Sequence, residues 1–141
     1  MDINVILGYI GLAAVLGLSF IGSSYGTSIA ANAAEGGLKK NKEGATSYMI
    51  LSAMPATQGL YGFVVFLLWL GKDFAQDGIV LFTVGLAAGL VLLISSIRQG
   101  QVCANGIIGI SQGHDVFTNT IIYAALPEFY AILSLIAALM V

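Results

Sequence analysis

Four long apolar runs, separated by short polar segments, dominate the pattern of the chain. The runs cover about 3–34, 45–71, 78–106 and 116–141. Each is long enough to cross the hydrocarbon core of a bilayer, roughly 30 Å, as a helix. Because the polar connections are short, consecutive helices are expected to be antiparallel. The pattern predicts an all-α membrane protein with four transmembrane helices arranged as two hairpins.

The second hairpin repeats features of the first about 72 residues later. The repeated pairs are Ser23-Ser24 with Ser95-Ser96, Ala31-Asn32 with Ala104-Asn105, and Met54-Pro55 with Leu126-Pro127. We interpret this as a duplicated hairpin, with one unit at 1–71 and the other at 72–141. Only the second unit carries an acid within its last helix, because Ala56 stands where Glu128 would be.

Composition agrees with a membrane protein. The 141 residues are 58% hydrophobic and 9% charged, whereas soluble domains carry about a quarter charged residues. Nothing in this composition indicates nucleic-acid binding, and the single cysteine, Cys103, excludes an intrachain disulfide. The connection at 35–44 holds three lysines and the one at 71–78 holds one. By the positive-inside rule, the turns at 35–44 and 111–115 are predicted to be cytoplasmic, and the termini to lie on the opposite side.

The helices differ in the size of their side chains. Helices one and three carry small residues at a spacing of four, such as Gly22 with Gly26 and Gly85 with Gly89. This spacing favours close helix packing in an inner layer. Helices two and four carry the bulky aromatic residues Tyr61, Phe63, Phe66, Trp69, Tyr123, Phe129 and Tyr130. We expect these residues to form an outer layer that faces lipid.

Glu128 is the main candidate for a functional residue, because it is an acid in the middle of the fourth apolar run. An ionised carboxylate at that depth costs roughly 2.5–3.5 kcal/mol on the insertion scale. The cost is acceptable where a proton, a bound cation or a basic side chain neutralises the charge. The candidate basic side chain is Arg98, which we expect to project away from Gln99 and to extend toward the cytoplasmic surface.

Several polar groups are placed to meet Glu128 inside the membrane. Thr57, Gln58 and Tyr61 follow the helical spacing of one face, and Gln99 adds an amide from helix three. Pro55 and Pro127 each lack an N–H, so the carbonyls of Leu51 and Tyr123 lose their helical partner, and the resulting kinks can turn nearby carbonyls, such as that of Met54, toward an ion. This many oxygen ligands favours a hard cation, Na⁺, over a proton, and Tyr61 is suited to orient the carboxylate. A purely structural polar layer around a protonated Glu128 is the alternative.

The segment from Met54 to Phe63, with Leu126-Pro127-Glu128 and Ile97-Arg98-Gln99-Gly100, resembles the proteolipid K (c-type) subunit of bacterial V-type or V/A-type rotary ATPases. The likeness covers essentially the whole chain. It implies a rotor ring in the bacterial cell membrane that carries Na⁺ or H⁺ and binds no other cofactor. The implied ion ligands are Glu128, Gln99, Gln58, Thr57 and the main-chain carbonyl of Met54, with Tyr61 bonded to the glutamate.

The same resemblance implies the partners. They are identical subunits in the ring, a stator subunit of the a/I type, a central-stalk subunit of the d/C type, and membrane lipid. Catalysis would belong to the soluble partner subunits, because this chain contains no phosphate-binding loop. A small proton-coupled multidrug-type transporter is the alternative function. That class carries its acid in the first helix, which here has none between Asp2 and Glu35.

Overall fold

A computed structural model describes residues 2–141. The helices are α1 (Ile3–Lys40), α2 (Ala45–Ala53), α3 (Thr57–Trp69), α4 (Phe74–Ser111) and α5 (Phe117–Leu139). Short 3₁₀ turns at Lys42–Gly44 and Met54–Ala56 precede and follow α2, so α2 and α3 together form one broken span. The four resulting spans are long and apolar enough to cross a membrane, and residues 2–141 contain no strand. The predicted all-helical class is confirmed.

The first and third helices are longer than the apolar runs predicted. α1 continues through residues 35–40, expected to be a turn, and α4 begins at Phe74 and ends at Ser111. Capping explains the difference: Asn41 closes α1 with its own N–H to the carbonyl of Gly37, and the Asp73 carboxylate accepts from the first N–H groups of α4. Hydropathy marks where lipid ends, whereas capping marks where a helix ends.

Hydrogen bonds place both termini and the connection at 70–73 at one end of the bundle. Asn4 Nδ2 donates to the carbonyl of Ala75 at 3.2 Å, and Lys72 Nζ donates to the carbonyl of Val141. At the other end, a β-carbon on Gly109 would touch Val116 across the second turn. The helices therefore alternate in direction, as the short connections predict.

α1 and α4 run parallel and pack backbone against backbone from Asn4 and Gly78 near one end to Gly26 and Gly100. A β-carbon on Gly100 would collide with the main chain of Gly26, and one on Gly22 would collide with that of Leu93. Near one end Gly78 meets Asn4 in the same way. Each residue of α1 therefore lies level with the residue about 72 positions later in α4, and the small-residue packing predicted for these two helices is confirmed.

The aromatic residues follow the predicted outer layer only in part. Phe63, Tyr123, Phe129 and Tyr130 are exposed. The prediction is wrong for Trp69, which is 1% exposed and donates its indole N–H to the carbonyl of Ala138 at 3.2 Å. An indole buried beside a helix end finds an acceptor there, and aromatic size alone does not reveal it.

The core consists of two apolar clusters with a polar layer between them. Toward the termini, the cluster contains Leu12, Val15, Val65, Trp69, Leu81, Ala88, Leu92, Ala131 and Ala138. Toward the opposite end it contains Ala30, Ala34, Tyr48, Leu51, Cys103, Ile107 and Ala124. The buried amides of Gln58 and Gln99 lie between the two, with Ser95 and Ser96 beside them. The apolar clusters keep the polar layer out of contact with either end of the bundle.

The α1–α4 contact gives a matched pair of glycine substitutions. Gly100→Ala is expected to lower the free energy of unfolding by about 1–3 kcal/mol, because the added methyl group meets main-chain atoms of Gly26. Gly17→Ala should leave stability unchanged or slightly raised, because no atom lies within 4 Å of the new group. Unfolding in mixed micelles would measure both. Equal stability of the two variants would contradict the close packing described.

Candidate ion-binding site

Glu128 lies midway along α5 and is half-buried against α3 and α4. Both carboxylate oxygens accept a hydrogen bond. The Tyr61 hydroxyl donates to Oε1 at 3.1 Å, and Gln99 Nε2 donates to Oε2 at 2.8 Å. Two donors from two different helices hold the carboxylate at the middle of its span.

Gln99 is fully buried and joins Glu128 to the rest of the polar layer. Its amide nitrogen also donates to the carbonyl of Ala124 at 3.1 Å, one turn before Glu128 on α5. Since a carbonyl can only accept, this bond fixes which end of the amide faces α5. The amide oxygen of Gln99 consequently faces Gln58, whose Nε2 donates to it at 2.8 Å.

Gln58 is also fully buried, and its oxygen belongs to a cluster with few hydrogen-bond donors. The Thr57 hydroxyl lies 3.2 Å from Gln58 Oε1 and 3.2 Å from the carbonyl oxygen of Met54. The Met54 carbonyl also accepts the backbone N–H of Thr57, but the Thr57 hydroxyl hydrogen is the one side-chain proton that these three oxygens share. An oxygen-rich, proton-poor cluster is the environment that a hard cation prefers.

Two serines of α4 form hydrogen bonds with the two proline residues next to the site. Ser96 Oγ donates to the carbonyl of Pro55 at 2.6 Å, and Ser95 Oγ donates to the carbonyl of Pro127 at 2.8 Å. At Pro55 the helix changes to a 3₁₀ turn, whereas α5 continues without interruption through Pro127. The 3₁₀ turn therefore separates α2 from α3 where Met54 presents its carbonyl.

The geometry joins all the residues that sequence predicts for the site in one hydrogen-bonded network. Gln58, predicted to meet Glu128, reaches the carboxylate through Gln99, whereas Tyr61 bonds it directly. Sequence reasoning missed Ser95 as a member and noted it only as part of the repeated pair Ser95-Ser96. It accepts from Gln58 Nε2 at 3.2 Å. Its position one turn before Gln99 on the same helix face was the signal that could have revealed it.

Arg98 lies outside the network. Its side chain is exposed and donates to Gln101 Oε1 at 3.1 Å, one turn farther along α4. The prediction that Arg98 projects away from Gln99 agrees with this position. Glu128 accordingly takes its hydrogen bonds from neutral donors.

The side chains present also limit which kind of ion the site could bind. Within residues 2–141, no three histidine, cysteine, aspartate or glutamate side chains are grouped as a metal site. The polar layer offers one carboxylate together with amide, hydroxyl and carbonyl oxygens. Oxygen ligands of this kind are the ones that hard cations prefer, whereas the softer transition metals favour nitrogen and sulfur ligands.

Comparison with known protein families identifies the family of this chain. The profile of the ATP synthase C-subunit family matches it twice, at residues 10–69 and 82–141. The chain belongs to this family. Because the two matches begin 72 residues apart, the family's hairpin unit is duplicated here, as the repeated pairs predict. Family membership also favours this class over the small multidrug-type alternative.

Two relatives are similar over nearly the whole chain. The K-subunit of the A-type ATP synthase of Methanocaldococcus jannaschii is 32% identical over 135 residues, covering 96% of this chain and 61% of the relative. The K-subunit of the V-type sodium ATPase of Enterococcus hirae is 34% identical over 137 residues, covering 94% of this chain and 88% of the relative. The chain thus spans less than two thirds of the length of the first relative.

The adjacent serines of α4 provide a test of the network. Ser95→Ala and Ser96→Ala each remove one buried hydrogen bond to a proline carbonyl, so each should lower the free energy of unfolding by about 0.5–1.5 kcal/mol. Only Ser95 also bonds Gln58, so only Ser95→Ala should change the rate at which a carbodiimide modifies Glu128. Identical modification rates in the two variants would show that Ser95 is not coupled to the carboxylate.

Proposed function

We propose that this chain is the rotor-ring subunit of a V-type or A-type rotary ATPase in the bacterial cell membrane, and that it carries Na⁺ on Glu128. The observation that carries the proposal is the mid-membrane carboxylate connected to a proton-poor cluster of oxygens. Membership in the ATP synthase C-subunit family supports the rotor role. The name of the Enterococcus hirae relative, which belongs to a sodium ATPase, supports the choice of ion.

The proposed sodium site uses five groups. Its ligands are Glu128, Gln99, Gln58, Thr57 and the main-chain carbonyl of Met54, and Tyr61 orients the carboxylate. The hydrogen bonds that join these residues support the assignment, since together they bring every one of the groups to a single layer. To bind the ion, the amide of Gln99 would have to turn its oxygen from Gln58 toward the shared cation. The proton is the second candidate ion, because it needs only Glu128 and one further acceptor.

The mechanism follows from the charge on Glu128. With a cation bound the carboxylate is neutralised, and the exposed face of α5 beside it can lie against lipid. Without the cation the charge is rejected by lipid, so the residue must face water or a basic group of a stator subunit. Only subunits that hold an ion can then rotate past the lipid. Rotation of the ring is thereby coupled to ion transport.

The proposed partners follow from the same mechanism. Identical copies form the ring, a stator subunit of the a/I type supplies access for the ion, and a central-stalk subunit of the d/C type contacts the cytoplasmic turns. Since α1 extends to Lys40, these turns are the segments at 41–44 and 112–116. Lys39, Lys40 and Lys42 beside the first turn favour its cytoplasmic location. ATP is bound by the soluble partners, so the chain is not catalytic by itself.

Carbodiimide labelling distinguishes the two candidate ions. A membrane-permeant carbodiimide should modify Glu128, and Na⁺ should slow the modification at constant pH, because a bound cation occupies the carboxylate. Tryptic mass mapping would locate the label. A labelling rate that depends on pH but is unaffected by Na⁺ would overturn the sodium assignment and favour the proton.

A carboxylate-to-amide substitution tests the transport role. Glu128→Gln should reduce ATP-driven ion uptake into vesicles to the background level, because the amide cannot neutralise a cation. The ring should still assemble, since the amide keeps the size and the hydrogen-bonding capacity of the carboxyl group. Asp77→Asn, the same change at the first turn of α4, is the matched control and should leave uptake unchanged. Uptake that persists in Glu128→Gln would contradict the proposed function.

A further inference from the structure

The break between α2 and α3 leaves two main-chain groups without a helical partner. α3 has Ala56 at its N-cap, so its first helical hydrogen bond runs from the N–H of Leu60 to the carbonyl of Ala56. The N–H of Gly59 and the carbonyl of Pro55 would pair with each other in an unbroken helix. Here both groups lie outside the helical ladder, and each is bonded by a serine of another helix.

Ser23 of α1 bonds the amide side of the break. Its Oγ accepts the N–H of Gly59 at 2.7 Å. On the carbonyl side, Ser96 Oγ of α4 donates to Pro55 at 2.6 Å. Because Ala56 has no polar side-chain atom, α3 cannot be capped by its own N-cap residue. Ser23 supplies the missing acceptor from a neighbouring helix.

The contact between α1 and α3 depends on glycine at position 59. A β-carbon on Gly59 would lie 3.0 Å from Ser23 Oγ and 3.1 Å from Ser23 Cβ, which is tighter than ordinary contact. Near the next turn of α3, a β-carbon on Gly62 would collide with the side chain of Ser19. Two serines of α1, spaced four apart, therefore lie directly against two glycines of α3. This packing holds Ser23 beside the amide that it bonds.

The second hairpin shows that a serine on the proline carbonyl is not sufficient to open a helix. At the repeat offset, Pro127 is the counterpart of Pro55, and Ser95 Oγ donates to its carbonyl at 2.8 Å. α5 nevertheless continues without interruption through Pro127. In the first hairpin, the break is accompanied by the further bond from the Gly59 amide to Ser23. The acceptor on α1 is therefore the feature that distinguishes the broken span.

The broken segment carries two groups of the candidate ion site. The Met54 carbonyl and the Thr57 hydroxyl lie 3.2 Å apart. Pro55 directly follows Met54, and Gly59 lies two residues after Thr57. The orientation of the carbonyl and the hydroxyl consequently depends on the separation between the Pro55 carbonyl and the Gly59 amide.

We propose that Ser23 is a positioning residue of the sodium site, acting through the main chain and not as a ligand. By accepting the N–H of Gly59, it prevents that amide from pairing with the carbonyl of Pro55. The break then stays open, and the Met54 carbonyl and the Thr57 hydroxyl keep the orientation that the cation needs. This inference rests on the proposed function, because it assigns Ser23 a role in holding Na⁺.

Sodium protection of Glu128 against a carbodiimide tests this role in the assembled ring. In Ser23→Ala the N–H of Gly59 loses its acceptor, so it is expected to pair with the Pro55 carbonyl and to extend α3 backward. The Na⁺ concentration that halves the labelling rate should rise about three- to tenfold, which corresponds to the net contribution of one hydrogen bond. In sodium-free buffer the pH dependence of labelling should be unchanged, because the proton needs Glu128 and not the groups of the broken segment.

Ser24→Ala is the matched control. Ser24 is the next residue of α1 and is exposed, so loss of its hydroxyl should change neither the sodium protection nor the pH dependence. Ser23→Cys is a second variant, which keeps the size of the side chain but offers a weaker acceptor. Its half-protecting Na⁺ concentration should lie between those of the unaltered chain and Ser23→Ala.

The outcomes separate this inference from the proposed function. If Na⁺ protects the unaltered chain and Ser23→Ala at the same concentration, Ser23 has no positioning role and the sodium site stands. A changed pH dependence in sodium-free buffer, or loss of the ring by native mass in both Ser23 variants, would make the residue a general structural element and contradict the proposal. Labelling of the unaltered chain that is independent of Na⁺ would overturn both the sodium assignment and the role of Ser23.

Discussion

The structure depends on one constraint: a carboxylate placed halfway through the lipid must be held by donors and neutralised when it faces lipid. α5 supplies Glu128, α3 supplies Tyr61, and α4 supplies Gln99. No single helix could satisfy the carboxylate, because donors must approach both of its oxygens from outside α5. The site is consequently a property of the bundle, and the two apolar clusters on either side keep it at mid-depth.

Close packing of α1 against α4 fixes the position of the helix that carries Gln99. Glycines at the contact allow the main chains to touch, so α4 is held against α1 from Gly78 to Gly100. Three side chains of this helix make hydrogen bonds to α3, to α5 and to the 3₁₀ turn at Met54–Ala56. They are Ser95, Ser96 and Gln99. A change at a distant glycine is therefore expected to alter the candidate ion site through the position of α4, without contacting any of its residues.

The fold and the site were predictable to different degrees. Apolar runs of membrane-spanning length predicted the number, order and direction of the helices, because lipid leaves few alternatives to a helix. Helical spacing also predicted that Thr57, Gln58 and Tyr61 lie on one face of their helix. These predictions depend on regular geometry alone, and for that reason they survive in the structure.

Other features depend on contacts that regular geometry does not encode. Capping by Asn41 sets where α1 ends and capping by Asp73 sets where α4 begins. A carbonyl of α5 accepts the indole N–H of Trp69, which satisfies this donor within the core. The route from Gln58 through Gln99 to Glu128 required the actual rotation of α4, which spacing within one helix cannot give. Ser95 was overlooked because a serine among small residues is indistinguishable from a packing residue until its neighbours are known.

Equilibrium binding of radioactive sodium to the purified assembly tests the central claim most directly. The account predicts saturable binding of one ion per chain, which disappears in Glu128→Gln while the assembly keeps its native mass. Absence of saturable binding, or binding that survives the loss of the carboxylate, would contradict the claim that Glu128 is tolerated in the membrane by holding a sodium ion.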